Sequence, residues 1–173
     1  PCPTAGDVAE KFEAPPGVTL RALIVARRQW ALRNARRKEG PNLANMRLLG
    51  SHPDVLRVLV MLTHEADVDT VRSATLALCV AAFPEHNNGA MGRLPECVAT
   101  MVRLCATGDH EVSAQAAATL ANLGYGHELN QRLIGESGGV ERLLDLCCSD
   151  DVDVIESGSA ALANLICLHK GNA

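Results

Sequence analysis

The carboxyl-terminal half of the chain repeats itself at a spacing of about 42 residues, a period typical of helical units that stack. Residues 101–104 (MVRL) align with residues 143–146 (LLDL), and residues 119–123 (TLANL) align with residues 161–165 (ALANL). The aliphatic residues around them recur at helical spacing and are separated by turn residues. One such unit alone cannot bury its apolar face, so neighbouring units must pack together. The repeat therefore predicts an all-α solenoid.

The composition agrees with helices that pack through small aliphatic side chains. Apolar residues make up 47% of the 173 residues but aromatic residues only 2%, whereas sheets usually draw on aromatic side chains. No apolar run approaches the roughly 18 residues of a membrane helix, and no secretory signal is visible. Because the chain begins with Pro rather than Met, we expect a processed or excised piece of a longer protein.

Seven cysteines occur in an odd number and without a C-x-x-C pair. Most of them fall inside predicted helices, where cysteine behaves as a small hydrophobic residue. We therefore expect buried thiols rather than disulfides, and a reducing compartment, the cytosol or the nucleus. The seven are Cys2, Cys79, Cys97, Cys105, Cys147, Cys148 and Cys167.

Charge and proline content divide the chain into an amino-terminal arm and a repeat region. Residues 1–50 carry nine Lys or Arg against four Asp or Glu, and the remainder carries seven against sixteen. The proline-rich residues 1–17 predict an extended or disordered segment, and residues 18–40 predict a basic helix that caps the open end of the stack. Three repeats follow, at about 42–84, 85–126 and 127–173.

Each repeat is predicted to contain two short helices and a longer third helix. Pro53 suits the first position of a helix, and Asp67 or Asp69 marks the start of another. In the second repeat, Asn-Asn-Gly weakens the first helix. The predicted ranges are 42–50, 53–63 and 67–82, then 87–91, 95–106 and 111–123, and finally 128–136, 139–148 and 152–168.

These motifs resemble the armadillo repeat family over about residues 42–173. The family pattern has a Gly-Gly corner before the second helix and a third helix of the form E-V-x-x-x-A-A-x-x-L-x-N-L. The chain matches it at Glu136-Ser-Gly-Gly-Val140, Glu111-Val112, Ala116-Ala117, Leu120, Asn122-Leu123, Leu162 and Asn164-Leu165. The resemblance implies a right-handed α-α superhelix of about three repeats, with the amino-terminal helix as its cap.

The resemblance also implies a concave groove that is lined by the third helices. Equivalent positions then form ladders, which we align as Val71, Gln115 and Ser157; Ala74, Ala118 and Ala160; Ala77, Ala121 and Ala163; and Leu78, Asn122 and Asn164. In the family, the ladder asparagine hydrogen-bonds the backbone of a bound segment, a role that would fall on Asn122 and Asn164. The alternative is that these asparagines hold a helix end or the neighbouring repeat.

The chain departs from the nuclear-import carriers of this family, which have Trp four residues before the asparagine. Ala118 and Ala160 stand there, and Trp30 is the chain's only tryptophan. Slots for basic side chains are therefore not expected. The acidic body still attracts basic partners at long range, and a smooth alanine-lined groove suits a helix or a bulky apolar side chain.

The basic helix has three possible roles. It can present a solvated face, bind phosphates of anionic lipid or nucleic acid, or fold back onto the acidic groove. The absence of interleaved aromatic residues and the acidic body argue against nucleic acid. The basic side chains considered are Arg27, Arg28, Arg33, Arg36, Arg37 and Lys38.

Catalysis is not expected from the sequence. His86, His127 and His169 recur once per repeat and are too far apart to share a metal ion, and no G-x-S-x-G, H-E-x-x-H or P-loop occurs. No cofactor or metal is predicted. The expected function is a cytoplasmic scaffold or adaptor that binds a partner segment in the groove. The alternative is a structural piece of a longer armadillo protein, which docks through its basic helix or self-associates through its ends.

Overall fold

A computed structural model describes residues 43–94 and 96–166. Within these ranges the chain is all-helical and contains no strand, which confirms the predicted fold class at the all-α level. The predicted arm at residues 1–17, the basic helix at residues 18–40, Cys2, Cys167 and His169 lie outside the described residues.

The described helices begin and end close to the predicted positions. They are α1 (Leu43–Gly50), α2 (Pro53–Leu62), α3 (Val68–Ala82), α4 (Asn88–Gly92), α5 (Cys97–Leu104), α6 (His110–Gly124), α7 (Glu128–Glu136), α8 (Gly139–Cys147) and α9 (Val152–Ile166). The weak first helix of the second repeat is a 3-10 turn at Glu85–Asn87 followed by the short α4.

Each long helix begins after an aspartate that caps it. The side chain of Asp67 accepts from the backbone N–H of Thr70, and that of Asp109 accepts from Val112. Asp151 accepts from the N–H of Val154 in the same way. A carboxylate at this position satisfies an unpaired backbone donor and favours helix initiation. The caps recur once per repeat, so the repeat fixes the start of α3, α6 and α9.

The three long helices lie side by side, with α6 packed between α3 and α9. Their inner faces share the core with the second helices α2, α5 and α8. Leu78, Leu120 and Leu162 are equivalent in the three helices and are exposed by no more than 1%. Small residues such as Ala116 and Ala117 are fully buried, as expected where long helices approach closely.

The caps correct the alignment of the first repeat. The capping aspartates show that the predicted ladders are two positions out of step between α3 and α6. Val71 therefore corresponds to Ser113 and packs partly against the core, and Leu78 corresponds to Leu120. Leu78 is 0% exposed, so its assignment to the groove is wrong, whereas Val71 is half-buried and its assignment stays a prediction.

Asparagine side chains connect each first helix to the repeat before it. Asn87 Nδ2 donates to Ala81 O at 2.7 Å and to Met46 O at 3.1 Å. Asn130 Nδ2 donates to Leu123 O at 2.9 Å and to Asn88 O at 3.0 Å. Each amide thus bonds a carbonyl near the end of the preceding long helix and a carbonyl in the preceding first helix. Carbonyls at helix ends lack partners within the helix and would otherwise be unsatisfied when buried.

Two glycines make room for these asparagines. A Cβ on Gly50 would lie 1.9 Å from Asn87 Nδ2, and one on Gly92 would lie 1.8 Å from Asn130 Oδ1. The asparagines cannot move aside without losing two hydrogen bonds, at least one of which is buried. Gly50 and Gly92 occupy equivalent positions in successive repeats, so the glycine and the asparagine form a contact that recurs along the stack.

The corner before the second helix also recurs. Gly138 has a φ of 75°, and Glu96, at the equivalent position of the preceding repeat, has a φ of 71°. This left-handed conformation is easily adopted by glycine and is unfavourable for glutamate. The same turn is therefore imposed on both repeats by the packing of the helices around it, although only one of the two sequences suits it.

We predict that Gly92→Ala destabilises the fold by about 1–3 kcal/mol, because the methyl group displaces Asn130 from its two carbonyl partners. Urea unfolding followed by circular dichroism measures the change. Gly135→Ala is the matched control: a Cβ there meets nothing within 4 Å, and we expect a gain of about 0.5–1 kcal/mol. Equal effects of the two substitutions would contradict the glycine–asparagine contact.

Candidate partner-binding surface

The outward-facing side of the long helices forms a continuous band, here called the third-helix surface. It consists of exposed or half-buried residues at positions that are equivalent in successive repeats. Its members are Asp69, Arg72, Ser73 and Leu76 on α3, Glu111, Ala114, Gln115 and Ala118 on α6, and Asp153, Glu156 and Ser157 on α9. They fall at helical spacing, so each helix presents about two turns of one face.

The predicted groove residues of the second and third repeats divide into two groups. Gln115, Ala118 and Ser157 are half-buried members of the third-helix surface, whereas Ala160 is 0% exposed and lies beneath it. In the first repeat, Ser73 and Leu76 occupy the positions that the sequence alignment gives to Val71 and Ala74. Leu76 is 49% exposed, which makes it the largest exposed apolar side chain of this surface.

The ladder asparagines face inward. Asn164 is 2% exposed, and its Nδ2 donates to Ala121 O on the neighbouring long helix at 2.9 Å. Asn122 is 6% exposed. The contact of Asn164 is the alternative role considered from the sequence, in which the asparagine holds the neighbouring repeat.

The backbone carbonyls of both ladder asparagines are also bonded from a first helix. Asn88 Nδ2 donates to Asn122 O at 2.8 Å, and Gln131 Nε2 donates to Asn164 O at 3.1 Å. The donors precede the two asparagines in the chain by 34 and 33 residues. The backbone of both ladder asparagines, and the side chain of Asn164, therefore belong to the framework of the stack.

The third-helix surface is acidic at its edge. Asp69, Glu111 and Asp153 are equivalent residues in the first turns of the three long helices, where a negative charge is favoured by the helix dipole. Arg72 lies among them, 2.8 Å from Asp109 and 3.6 Å from Glu111. The Arg72 guanidinium thus neutralises part of the negative charge at the first-repeat end of this edge.

A basic side chain of the preceding long helix contacts each of the later capping aspartates. Arg72 contacts Asp109, and His110 Nδ1 lies 3.4 Å from Asp151 Oδ2. The N–H of Val112 and the Arg72 guanidinium hold the pKa of Asp109 below its ordinary value, against the opposing effect of partial desolvation. The pKa of Asp151 is lowered mainly by the N–H of Val154.

None of the described cysteines forms a disulfide. Burial raises the pKa of Cys97 and of Cys105 to about 12, so neither forms a thiolate at neutral pH. Burial also raises the pKa of Cys147, partly offset by its contact with the Ser159 hydroxyl. Cys148 is exposed and Cys79 is half-buried. The predicted burial therefore holds for Cys97, Cys105 and Cys147.

A depression with a volume of about 720 Å³ lies at the turns that follow α3 and α6. Phe83 and Tyr125, which are equivalent in successive repeats, line it together with Arg47, His86 and His127. No local sequence pattern predicts this depression, because its lining residues are distant in sequence and follow no known motif. Within residues 43–94 and 96–166, no group of three His, Cys, Asp or Glu side chains is placed to hold a metal ion.

Comparison with known proteins identifies a solved structure that is similar to this chain. No family model matches the sequence, and no curated protein matches it. The crystal structure of an engineered protein, a Northeast Structural Genomics Consortium target, shares 32% sequence identity with a TM-score of 0.61. The similarity covers 65% of this chain, and the chain spans 45% of the length of that protein.

No described helix is both long and apolar enough to cross a bilayer.

We predict that Asp109→Asn lowers the unfolding free energy by about 1 kcal/mol at pH 7. Asparagine keeps the capping acceptor but removes the charge that pairs with Arg72. The folded-state pKa of Asp109 is below its unfolded value of about 3.9, so the stabilisation is present above pH 4 and is lost as the pH falls through the folded pKa. Urea unfolding at pH 7 and at about pH 3 should show the difference between the two proteins shrinking.

Asp54→Asn is the control for this prediction. Asp54 also pairs with an arginine, Arg57, but its side chain is 93% exposed. We expect a cost of about 0.3 kcal/mol or less at either pH. A difference at Asp109 that does not depend on pH would show that the ion pair is not its cause.

Proposed function

We propose that this chain is an armadillo-type stack of three repeats and serves as a protein-binding scaffold. In this proposal the stack is a right-handed superhelix, and the third-helix surface lies on its concave side and receives a partner segment. The observation that carries the proposal is the recurrence of equivalent, outward-facing positions on three long helices that lie side by side. The aspartate caps, which recur once per repeat, support the armadillo assignment.

The rigidity of this surface favours binding. The core beneath it is made of fully buried side chains, among them Leu120, Leu123 and Ala116, and the neighbouring repeats are joined by asparagine hydrogen bonds. A surface that is already ordered loses little conformational entropy when a partner docks. Such a stack suits a scaffold or adaptor better than an enzyme.

The chemistry of the surface indicates the kind of partner segment. The acidic first turns at Asp69, Glu111 and Asp153 favour basic side chains. Further along the helices, Leu76 and Ala118 offer apolar side chains at equivalent positions of α3 and α6. We therefore propose a segment in which basic residues flank a bulky apolar residue.

The buried thiols favour a reducing cellular compartment. Cys97, Cys105 and Cys147 are buried and free, as expected where cysteines are kept reduced. We therefore place the protein in the cytosol or nucleus as part of this proposal.

The ladder asparagines take a supporting role in this proposal. Asn164 already donates to Ala121 O, and its replacement would leave that carbonyl without this partner at the junction of two repeats. We therefore assign the contact with a partner to the outward-facing positions instead. Replacing Asn164 would lower stability rather than remove a partner contact. The assigned residues are Gln115, Ala118, Ser157, Leu76 and Ser73.

A photo-crosslinking amino acid at position 76 or 118 tests the proposal. We expect it to capture a partner in cells, while the same amino acid at position 129, on the first helix α7, should not. Leu129 is 36% exposed, so the control position is accessible but belongs to a different face. Capture at all three positions, or at position 129 alone, would argue against the third-helix surface.

Charge reversal on the acidic edge provides a second measurement on a captured partner. We expect Glu111→Arg to weaken binding by about tenfold at low salt and less at high salt, since the attraction is screened. Glu128→Arg, in the first turn of α7, is the matched control with the same change of net charge. A salt-independent effect, or an equal effect of the control, would contradict the proposed acidic contact.

A further inference from the structure

The first repeat exposes a row of large apolar side chains on α2. Val55 is 43% exposed, Val58 is 53% exposed and Met61 is 68% exposed, and Leu48 on α1 adds a fourth at 59%. Contiguous apolar surface of this kind usually marks a contact, since single proteins rarely leave it in water. Together with the half-buried Leu59 and Leu62, these residues are here called the first-repeat face.

Most equivalent positions in the second repeat are buried, although Arg103, which corresponds to Met61, is exposed. Val55 corresponds to Cys97, Leu59 to Met101 and Leu62 to Leu104, counting one repeat along the chain. The three later residues are exposed by 0%, 0% and 1%. Helices α5 and α8 have a repeat before them, whereas α2 belongs to the repeat that begins the described part of the stack. Around Val55, Leu59 and Leu62 the first-repeat face therefore matches positions that are buried wherever a repeat precedes them, and we expect a covering element there.

The segment that comes just before α1 has the composition of such an element. Leu20, Leu23, Ile24 and Ala31 recur at helical spacing, and Trp30 falls two helical turns after Leu23. A helix with that spacing carries its apolar residues on one side. The segment ends only three positions before α1 begins. Such a short connection holds the segment at an effective concentration in the millimolar range.

Charge favours the same pairing. Residues 18–40 are rich in arginine, and exposed acidic residues lie at both ends of α2: Asp54 at its beginning, 3.1 Å from Arg57, and Glu65 after its end. The arginines of the segment would therefore meet carboxylates on either side of the apolar row.

We propose that residues 18–40 of this chain cover the first-repeat face, with the apolar stripe around Leu23 and Trp30 against Val55, Val58 and Leu62. This pairing removes the exposed apolar row from water and places arginines beside acidic residues. The covering segment would then be unavailable for the acidic third-helix surface, which leaves that surface open to other molecules.

Two readouts on the full chain test this proposal. Trp30 is the only tryptophan, so acrylamide quenching of its fluorescence reports on its burial alone. Hydrogen exchange followed by mass spectrometry reports on the protection of residues 20–38. We expect both to show protection in a monomer, independent of protein concentration. Free quenching of Trp30 in the wild-type chain would overturn the proposal.

Val58→Asp should accelerate exchange in residues 20–38 by about tenfold or more, because burial of one valine side chain is lost. Val152→Asp is the matched control, since Val152 is 74% exposed and lies on α9, away from the first repeat. Exchange in α6 shows whether the core remains folded, and Val58→Ala gives a smaller acceleration if Val58→Asp unfolds the chain. An equal effect of Val152→Asp would overturn the proposal.

Light scattering after size-exclusion chromatography shows whether residues 18–40 or a second copy of the chain cover the first-repeat face. A doubled mass, with protection that disappears on dilution, would show that a second copy covers the face instead and would overturn the proposal. Glu111→Arg, which tests the third-helix surface, should leave both readouts unchanged. The two proposals can therefore fail independently.

Discussion

Buried asparagine amides determine how one repeat sits on the next. Asn87 and Asn130 each donate from one nitrogen to two carbonyls of the preceding repeat. Where such carbonyls are buried, water cannot replace the amide, so the loss of either bond is costly. Gly50 and Gly92 must lack a side chain for the amides to fit. A contact that needs a glycine on one helix and an asparagine on the next has little freedom to slip, and it therefore sets the spacing of the stack.

A second set of contacts aligns the first turns of the long helices. Aspartate caps place the first turns of α3, α6 and α9 in register, and the two later caps are contacted by Arg72 or His110 of the preceding helix. Salt bridges of this exposure contribute little stability individually. Their main consequence is geometric: each contact joins neighbouring long helices at their first turns, so the acidic residues there lie along one edge. Under the proposed function, this aligned acidic edge is where the basic residues of a partner segment would bind.

The two apolar regions at the surface differ in origin. Leu76 belongs to the third-helix surface and has smaller equivalents in the later repeats, Ala118 and Ala160, so it is particular to the first repeat. Val55 and Leu62, by contrast, match residues that are buried in the second repeat. Their exposure reflects their position at the start of the described stack. The first-repeat face thus has the character of an internal junction, whereas the third-helix surface is an outer face in every repeat.

The sequence alone determined the all-α class, the repeat period and most helix positions, because helical spacing, proline and capping aspartates are local signals. It also indicated buried cysteines, which the structure shows for Cys97, Cys105 and Cys147. The tertiary structure decided the register of the first repeat, since local patterns allowed an alignment that placed the buried Leu78 on the surface. It likewise decided where the amides of Asn87, Asn130 and Asn164 donate. Each of them bonds at least one carbonyl that is distant in the sequence, and only the packing of the helices brings the two within hydrogen-bond distance.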